Sequence, residues 1–421
     1  MAVTDLVQGS ATLAIALRNF DRASEQLHLD PGTAMVLRQI KRELIVHFPV
    51  EMDDGSFTVY TGFRVQHNLD RGPAKGGLRY HPAMTLADAR ALAMFMTWKS
   101  AIVGLPFGGA KGGVIVDPKA LSVTERERLT RRLTTELSLL LGSDRDIPAP
   151  DIGTGPQEMA WIMDTLSMHA GHSVRASVTG KPTVIGGSEG RHGAVGRGIT
   201  TVAVQALRDS GIDPTGATAA IQGFGQVGAS TAQLLAAAGI RVVAVSDSRG
   251  GVHSGTGLDI DALTALKEEG GALTEHGGAE TLSNDELLTL PVDLLVPCAL
   301  EAQITAENAA RINARVIAEG ANAAVDSDGD AILADRDVLI VPDILANTGG
   351  VVASYFEWVQ DLQAFFWASG ETNARLREVM GRSYDAVRTR ARAESVSLRE
   401  AAYQIAVAQV AEAGDVRGIY P

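Results

Sequence analysis

Three observations predict an α/β fold in two domains. The chain has 421 residues, too many for one ordinary hydrophobic core. From Ala217 onward, short apolar runs alternate with helical stretches, the pattern of a parallel, doubly wound sheet. Between Gly180 and Gly198, eight of nineteen residues are glycine or proline, which marks a boundary or hinge. The expected division is residues 1–182 as an N-terminal α/β domain, 183–355 as a Rossmann-type domain, and 356–421 as a C-terminal helical segment that packs back on the first.

The elements follow in order. Residues 10–46 show helical spacing, broken near Asp30-Pro31-Gly32, and Val59–Val65 alternates like a strand. Thr85-Leu86-Ala87-Asp88 resembles a capping box and opens a helix to about Val103. On that helix Leu92, Phe95, Met96, Lys99 and Val103 share one face, so Lys99 falls on an apolar stripe. Ser122-Val123-Thr124-Glu125 is a full capping box for a helix to about Leu141, and Gln157–Met168 is a further helix. Past the hinge come a strand at Ala217–Gln222, a helix at Val227–Ala238 and a strand at Ile240–Ser246. Apolar runs at Leu294–Val296, Val316–Ala318 and Val338–Val341 read as further strands. Residues from about Asn373 to Ala413 are again helical.

Composition narrows the function classes. Apolar residues make up 45% and charged residues 21%, as in a globular protein. The net charge of −13 argues against nucleic acid and anionic membranes as partners. The charge is uneven: from Arg64 to Lys111 there are seven Lys or Arg against Asp70 and Asp88 alone, which suits a small anion. The one cysteine, Cys298, lies in an apolar run and reads as a small core residue. No signal peptide and no run long enough for a membrane span is evident, so a cytoplasmic location is expected. No metal site is expected.

Gly223-Phe224-Gly225-Gln226-Val227-Gly228 matches the dinucleotide fingerprint, and it lies where the match has meaning, between a predicted strand and a predicted helix. The first glycine turns the chain, the second admits a pyrophosphate, and the third lets helix and strand approach. Asp247 sits about twenty residues on, at the next strand end, where a carboxylate accepts ribose hydroxyls. That rule favours NAD. Ser248 and Arg249 beside it would suit the 2′-phosphate of NADP.

Gly72-Pro73-Ala74-Lys75-Gly76-Gly77-Leu78-Arg79 and Gly108-Gly109-Ala110-Lys111-Gly112-Gly113 each box a lysine among residues too small to cover it. With Lys99 they form a set of cations in apolar surroundings, which need a partner such as a ligand carboxylate. In Pro148-Ala149-Pro150-Asp151-Ile152-Gly153-Thr154-Gly155 an acid stands between rigid and flexible residues, placed either to make a turn or to move protons beside a lysine of lowered pKa. Lysines plus a nicotinamide site point to oxidation or reduction of an anionic, carbonyl-forming small molecule.

These motifs, with Gly180-Lys181-Pro182, Gly186-Gly187-Ser188, Asn347-Thr348-Gly349-Gly350-Val351, Ser354-Tyr355-Phe356-Glu357-Trp358 and the terminal Arg417-Gly418-Ile419-Tyr420-Pro421, resemble the hexameric glutamate dehydrogenases of the Glu/Leu/Phe/Val dehydrogenase family. The similarity runs from about Gly62 to Pro421. It implies a first domain that binds substrate and packs a homohexamer, and a Rossmann domain that closes over a cleft. It implies that Lys75 holds the substrate side-chain carboxylate with help from Ser354, that Lys99 holds the α-carboxylate, and that Val351 lines the side-chain pocket. Lys111 is then the catalytic lysine, Asp151 the proton shuttle, and Asn322 and Asn347 neighbours of the nicotinamide ribose. The implied reaction is the interconversion of L-glutamate with 2-oxoglutarate and ammonia, using NAD or NADP.

Two other readings stand beside it. One is a branched-chain or aromatic amino-acid dehydrogenase, which Lys75 opposes. The other is a non-catalytic regulatory subunit, which the retained Lys75, Lys99, Lys111 and Asp151 oppose. Its support is one departure from the family: Val195 stands where a threonine hydroxyl would touch the nicotinamide amide.

Overall fold

A computed structural model describes residues 10–418; the motif residues Ile419, Tyr420 and Pro421 lie outside the described residues. One compact unit takes in the described parts of Met1–Arg191, Val351–Thr372 and Tyr403–Pro421, and the other takes in His192–Gly350 and Asn373–Ala402.

The first unit opens with α1 (Ala11–Gln26) and α2 (Pro31–Arg38), capped by the side chains of Ser10 and Asp30. The expected helix over residues 42–46 is instead the start of a strand. β1 (Arg42–Glu51) pairs antiparallel with β2 (Phe57–Asn68) along its whole length. Leu44, Ile45 and Val46 are adjacent apolar residues that continue the preceding helical reading only in composition; two are β-branched, and the ladder with β2 decides the outcome. Then come β3 (Ala74–Tyr80), α3 (Leu86–Ile102), β4 (Gly108–Val114), α4 (Val123–Leu137), β5 (Asp146–Pro150) and α5 (Pro156–Ala170). The Ser122–Glu125 capping box is present, but α4 ends at Leu137, four residues short of the expected Leu141.

The sheet order is β1-β2-β4-β3-β5, with β3 parallel to both β4 and β5. Leu78 and Tyr80 on one face pack with Leu129, Leu133, Met159 and Ile162 of α4 and α5. Val65 on the other face packs with Leu86, Ala89 and Ala93 of α3. α3 is buried on almost every side rather than along one stripe. It lies so close to β4 that a Cβ on Gly109 would overlap Ala93 O and the backbone of Thr97.

The second unit contains α6 (Ala194–Asp209), β6 (Thr218–Gln222), α7 (Gln226–Ala237), β7 (Arg241–Asp247), β8 (Gly250–His253), α8 (Ile260–Glu268), β9 (Glu280–Leu282), α9 (Asn284–Leu288), β10 (Leu294–Pro297), β11 (Val316–Ala318), α10 (Ser327–Ala334), β12 (Leu339–Val341) and α11 (Asp343–Ala346). Its sheet order is β12-β11-β10-β6-β7-β8-β9. The strands from β12 to β7 are parallel, as expected of a doubly wound sheet. β8 and β9 add an antiparallel margin that the sequence reading lacks.

The remaining chain is helical: α12 (Gly349–Gln363), α13 (Ser369–Glu394) and α14 (Leu398–Arg417). The single helical stretch expected from Asn373 is thus two helices, parted at Ser395, whose φ is +56°. Residues 351–372 and the part of α14 from Tyr403 on belong to the first unit; most of α13 belongs to the second. No helix among the described residues is long and apolar enough to cross a membrane.

Two substitutions test this packing. Gly109→Ala should lower stability by about 1–3 kcal/mol through overpacking, read as a fall in the urea midpoint. Asp146→Ala should cost about 3–5 kcal/mol, because it strands Arg64, which it meets at 2.5 Å with both side chains fully buried.

Candidate active site

The register of β3, β4 and β5 assigns the polar side chains to two faces. Lys75 pairs with Gly109, and Lys111 with Val65, so Lys75, Gly77, Arg79 and Lys111 share the face that α3 covers. Arg64 pairs with Gly112, and Asp146 with Ala74, which puts both on the opposite face. There Arg64 forms a bidentate pair with Asp146 and donates to the carbonyls of Gly76 and Gly77 at 3.2 and 3.1 Å. Gln66 also donates to Asp146, at 2.9 Å. The lysine-bearing strand is thereby tied down from behind.

Lys75 is 1% exposed. Its Nζ donates to the carbonyls of Ile147 and Pro148 at 3.1 and 3.2 Å, and it meets no carboxylate among the described residues. Burial, and then the guanidiniums of Arg191 and Arg64, push its pKa well below the ordinary lysine value. An ammonium has three donors, so one remains for a ligand.

Lys111 is buried, and its Nζ touches the Asp151 carboxylate. A side chain at Gly77 would intrude on both groups, so that glycine leaves their space open. Burial, with Arg79, Lys99 and Arg64, pushes the Lys111 pKa well down. Asp151 follows β5 directly. Its Oδ1 accepts from Ile152 N–H at 2.7 Å and lies 3.4 Å from Arg79, while its own N–H donates to Thr154 Oγ1 at 2.9 Å. Lys99, 5% exposed in the last turn of α3, adds positive charge beside Lys111.

Ser354 is buried on α12 and accepts from the Arg191 guanidinium; half-buried Val351 lies three residues before it on the same helix. Below them Lys181 joins Glu357 and Asp361, at 2.8 and 2.5 Å, with all three side chains fully buried. Glu357 also accepts from the Gly180 N–H through both oxygens. Arg79 and Arg191, to which the sequence reading gave no role, meet Asp151 and Ser354 through pairings between distant segments, which no local motif reports.

In the second unit the glycine fingerprint has the expected geometry. Gly223 turns at φ +90° and donates to Ser246 O at 2.8 Å. A side chain at Gly225 would meet open space, whereas one at Gly228 would overlap Gly223 O. Phe224 is buried, and Gln226 and Val227 begin α7. The open Gly225 at a helix start fits a pyrophosphate taken up by free N–H groups. Asp247 ends β7, but both its oxygens are engaged: Oδ2 with Lys267 Nζ at 2.5 Å, and Oδ1 with the Arg249 N–H at 2.7 Å. Partial burial raises its pKa, and those bonds outweigh that and lower it. The Arg249 guanidinium turns to the carbonyls of Gly270 and Gly271, and Ser248 is exposed.

Asn347 caps α11 and donates to Gly320 O and to Asn322 Oδ1, each at 3.3 Å. Val195 is half-buried in the first turn of α6, beside Gly350. Cys298 is half-buried, its thiol pushed up to about 12 by burial. No group of His, Cys, Asp or Glu among the described residues could hold a metal ion.

Comparison with known proteins identifies the family. The family model described as Glutamate/Leucine/Phenylalanine/Valine dehydrogenase matches residues 186–418, and that of the Glu/Leu/Phe/Val dehydrogenase dimerisation domain matches residues 41–168. A glutamate dehydrogenase of Thermotoga maritima is 51% identical over 97% of this chain and 98% of its own. An NAD-specific glutamate dehydrogenase A of Halobacterium salinarum is 46% identical over 99% of this chain and 96% of its own. The solved hetero-hexameric glutamate dehydrogenase of Thermus thermophilus, in a Leu-bound form, superposes with a TM-score of 0.95 at 41% identity, covering 99% of each chain. The chain belongs to the Glu/Leu/Phe/Val dehydrogenase family.

Proposed function

We propose that this chain is a glutamate dehydrogenase, which oxidatively deaminates L-glutamate to 2-oxoglutarate and ammonia with a nicotinamide dinucleotide and runs the reverse reductive amination. The observation that carries the reading is Lys75, buried, with the carbonyls of Ile147 and Pro148 rather than a carboxylate as its hydrogen-bond partners among the described residues. A substrate with a second carboxylate restores the charged form of that lysine; an apolar side chain leaves it stranded. Relatives at 46–51% identity that are named glutamate dehydrogenases support the same choice.

In this reading Lys75, aided by Ser354, holds the distal carboxylate, and Lys99 holds the α-carboxylate. Val351 lines the side-chain pocket. The nicotinamide, when bound, supplies the hydride acceptor, or in reverse the donor. Gly223, Gly225 and Gly228 cradle the pyrophosphate, and Asn322 and Asn347 stand at the nicotinamide end. After hydride leaves the α-carbon, the substrate is an iminium. Lys111, its pKa pushed down by burial and by neighbouring cations, takes a proton from water as the water oxygen bonds to the iminium carbon. Asp151 passes a proton to the nitrogen of the resulting carbinolamine; as the carbon–nitrogen bond breaks, the hydroxyl proton returns to Asp151, the carbonyl of 2-oxoglutarate forms, and ammonia leaves.

For the dinucleotide we infer NAD, on the carboxylate of Asp247; the relative named NAD-specific supports it. Lys267 bears on this choice, because its ammonium offsets the charge that would repel a 2′-phosphate. We further infer a homohexamer: the hexameric state of the Thermus thermophilus protein supports the number, although that assembly is hetero-hexameric. A stable monomer in light scattering would overturn this inference.

The test of the function is direct. The purified chain, given 2-oxoglutarate, ammonia and NADH, should oxidise the dinucleotide, followed by absorbance; no turnover with NADH or NADPH would overturn the reading. Lys75→Leu should lose roughly two to four decades of glutamate turnover and gain relative activity on apolar amino acids. Asp247→Ser should raise the ratio of kcat/KM for NADP to that for NAD, since it removes an anion and releases Lys267.

A further inference from the structure

Arg399 stands in the first turn of α14, behind a capping box in which Ser397 and Glu400 bond each other reciprocally. A cation near a helix N-terminus opposes the helix dipole, and this one is also 7% exposed. Both costs require strong partners. Arg399 has three: Glu319 at 2.8 Å, Asp330 at 3.0 Å and Asp343 at 3.7 Å.

Two of those carboxylates hold backbone. Glu319 follows β11; its Oε1 accepts from Val325 N–H at 2.8 Å and its Oε2 from Asp343 N–H at 2.9 Å. Asp343 opens α11; its Oδ2 accepts from Ala323 N–H at 2.9 Å and its Oδ1 from Ile344 N–H at 2.8 Å. Ala323 has a φ of +47°, a left-handed conformation that alanine does not adopt without restraint. The restrained segment from 319 to 325 carries Asn322, and the restrained helix α11 ends at Asn347. The guanidinium stands behind both carboxylates. Burial and the nearby Asp343 push the Glu319 pKa up, and the guanidinium opposes that push and so favours the carboxylate that accepts both N–H groups.

We propose that Arg399 is a positioning residue of the dinucleotide site: acting through Glu319 and Asp343, it fixes the two backbone segments that present Asn322 and Asn347. The proposal rests on the reading of those asparagines as neighbours of the nicotinamide ribose. It adds a residue from a helix more than fifty positions downstream of Asn347, in a stretch with no fingerprint of its own.

The test titrates NADH by fluorescence against wild type, Arg399→Lys and Arg399→Met, with circular dichroism as the check on folding. Lysine keeps the charge but cannot span three carboxylates, so Arg399→Lys should fold. It should bind NADH about ten- to a hundredfold more weakly, the scale of a small displacement in a binding site. The KM for the dinucleotide should rise in step, while the KM for 2-oxoglutarate stays within about twofold. Arg399→Met should be weaker still, or unfolded. A folded Arg399→Lys with lowered Tm but wild-type NADH affinity would make Arg399 a structural residue only and overturn the proposal. Wild-type protein that binds neither NADH nor NADPH would overturn the dinucleotide reading and this proposal together.

Discussion

Positive charge gathered out of water is the constraint around which the first unit is arranged. Lys75, Lys99, Lys111 and Arg79 crowd one face of a five-stranded sheet, with Asp151 as the carboxylate among them. Such a cluster repels itself, and the surrounding structure limits that repulsion in two ways. From behind, Arg64 and Asp146 form a closed pair, so the fully buried arginine brings its own counter-charge. In front, burial drives Lys75 and Lys111 toward their neutral forms. The cluster therefore carries more positive than negative charge, and under the proposed function an anionic substrate would offset that excess and favour the protonated lysines, which links binding to protonation.

What the sequence discloses divides by distance along the chain. The turn at Gly223–Gly228 is legible because each glycine answers a local demand, and the structure meets those demands within six residues. Lys75 and Lys111 are legible as charges boxed by glycine. Arg191 and Arg399 are not: Arg191 finds Ser354 across 163 positions, and Arg399 finds Asp330 across 69. Strand β1 escapes for a related reason, since its apolar residues continue the preceding helical reading until the ladder with β2 is known. β8 and β9, four and three residues long, are too short to show any period.

Asp247 shows how a carboxylate placed by a local motif acquires a partner that the motif does not report. Its place at the end of β7 follows from the fingerprint, and there the inference from a bare carboxylate stops. Lys267 arrives from α8, twenty residues on, and turns an anion into half of an ion pair. The Arg249 guanidinium, for its part, is held by the carbonyls of Gly270 and Gly271.

The interleaving of the chain has a consequence for how the protein comes into being. No contiguous stretch contains the whole of either unit. A nascent chain released as far as Arg191 carries Lys181 but neither Glu357 nor Asp361, the carboxylates that neutralise it. Asn19 and Gln26 of α1 likewise wait for Tyr403 and Gln404, nearly four hundred residues later. The first unit to begin leaving the ribosome is thus the last to be complete: Arg64 and Asp146 can pair early, but Lys181 waits for the segment that carries Glu357 and Asp361. A chain that stops short of Glu357 would lack both carboxylates that meet Lys181.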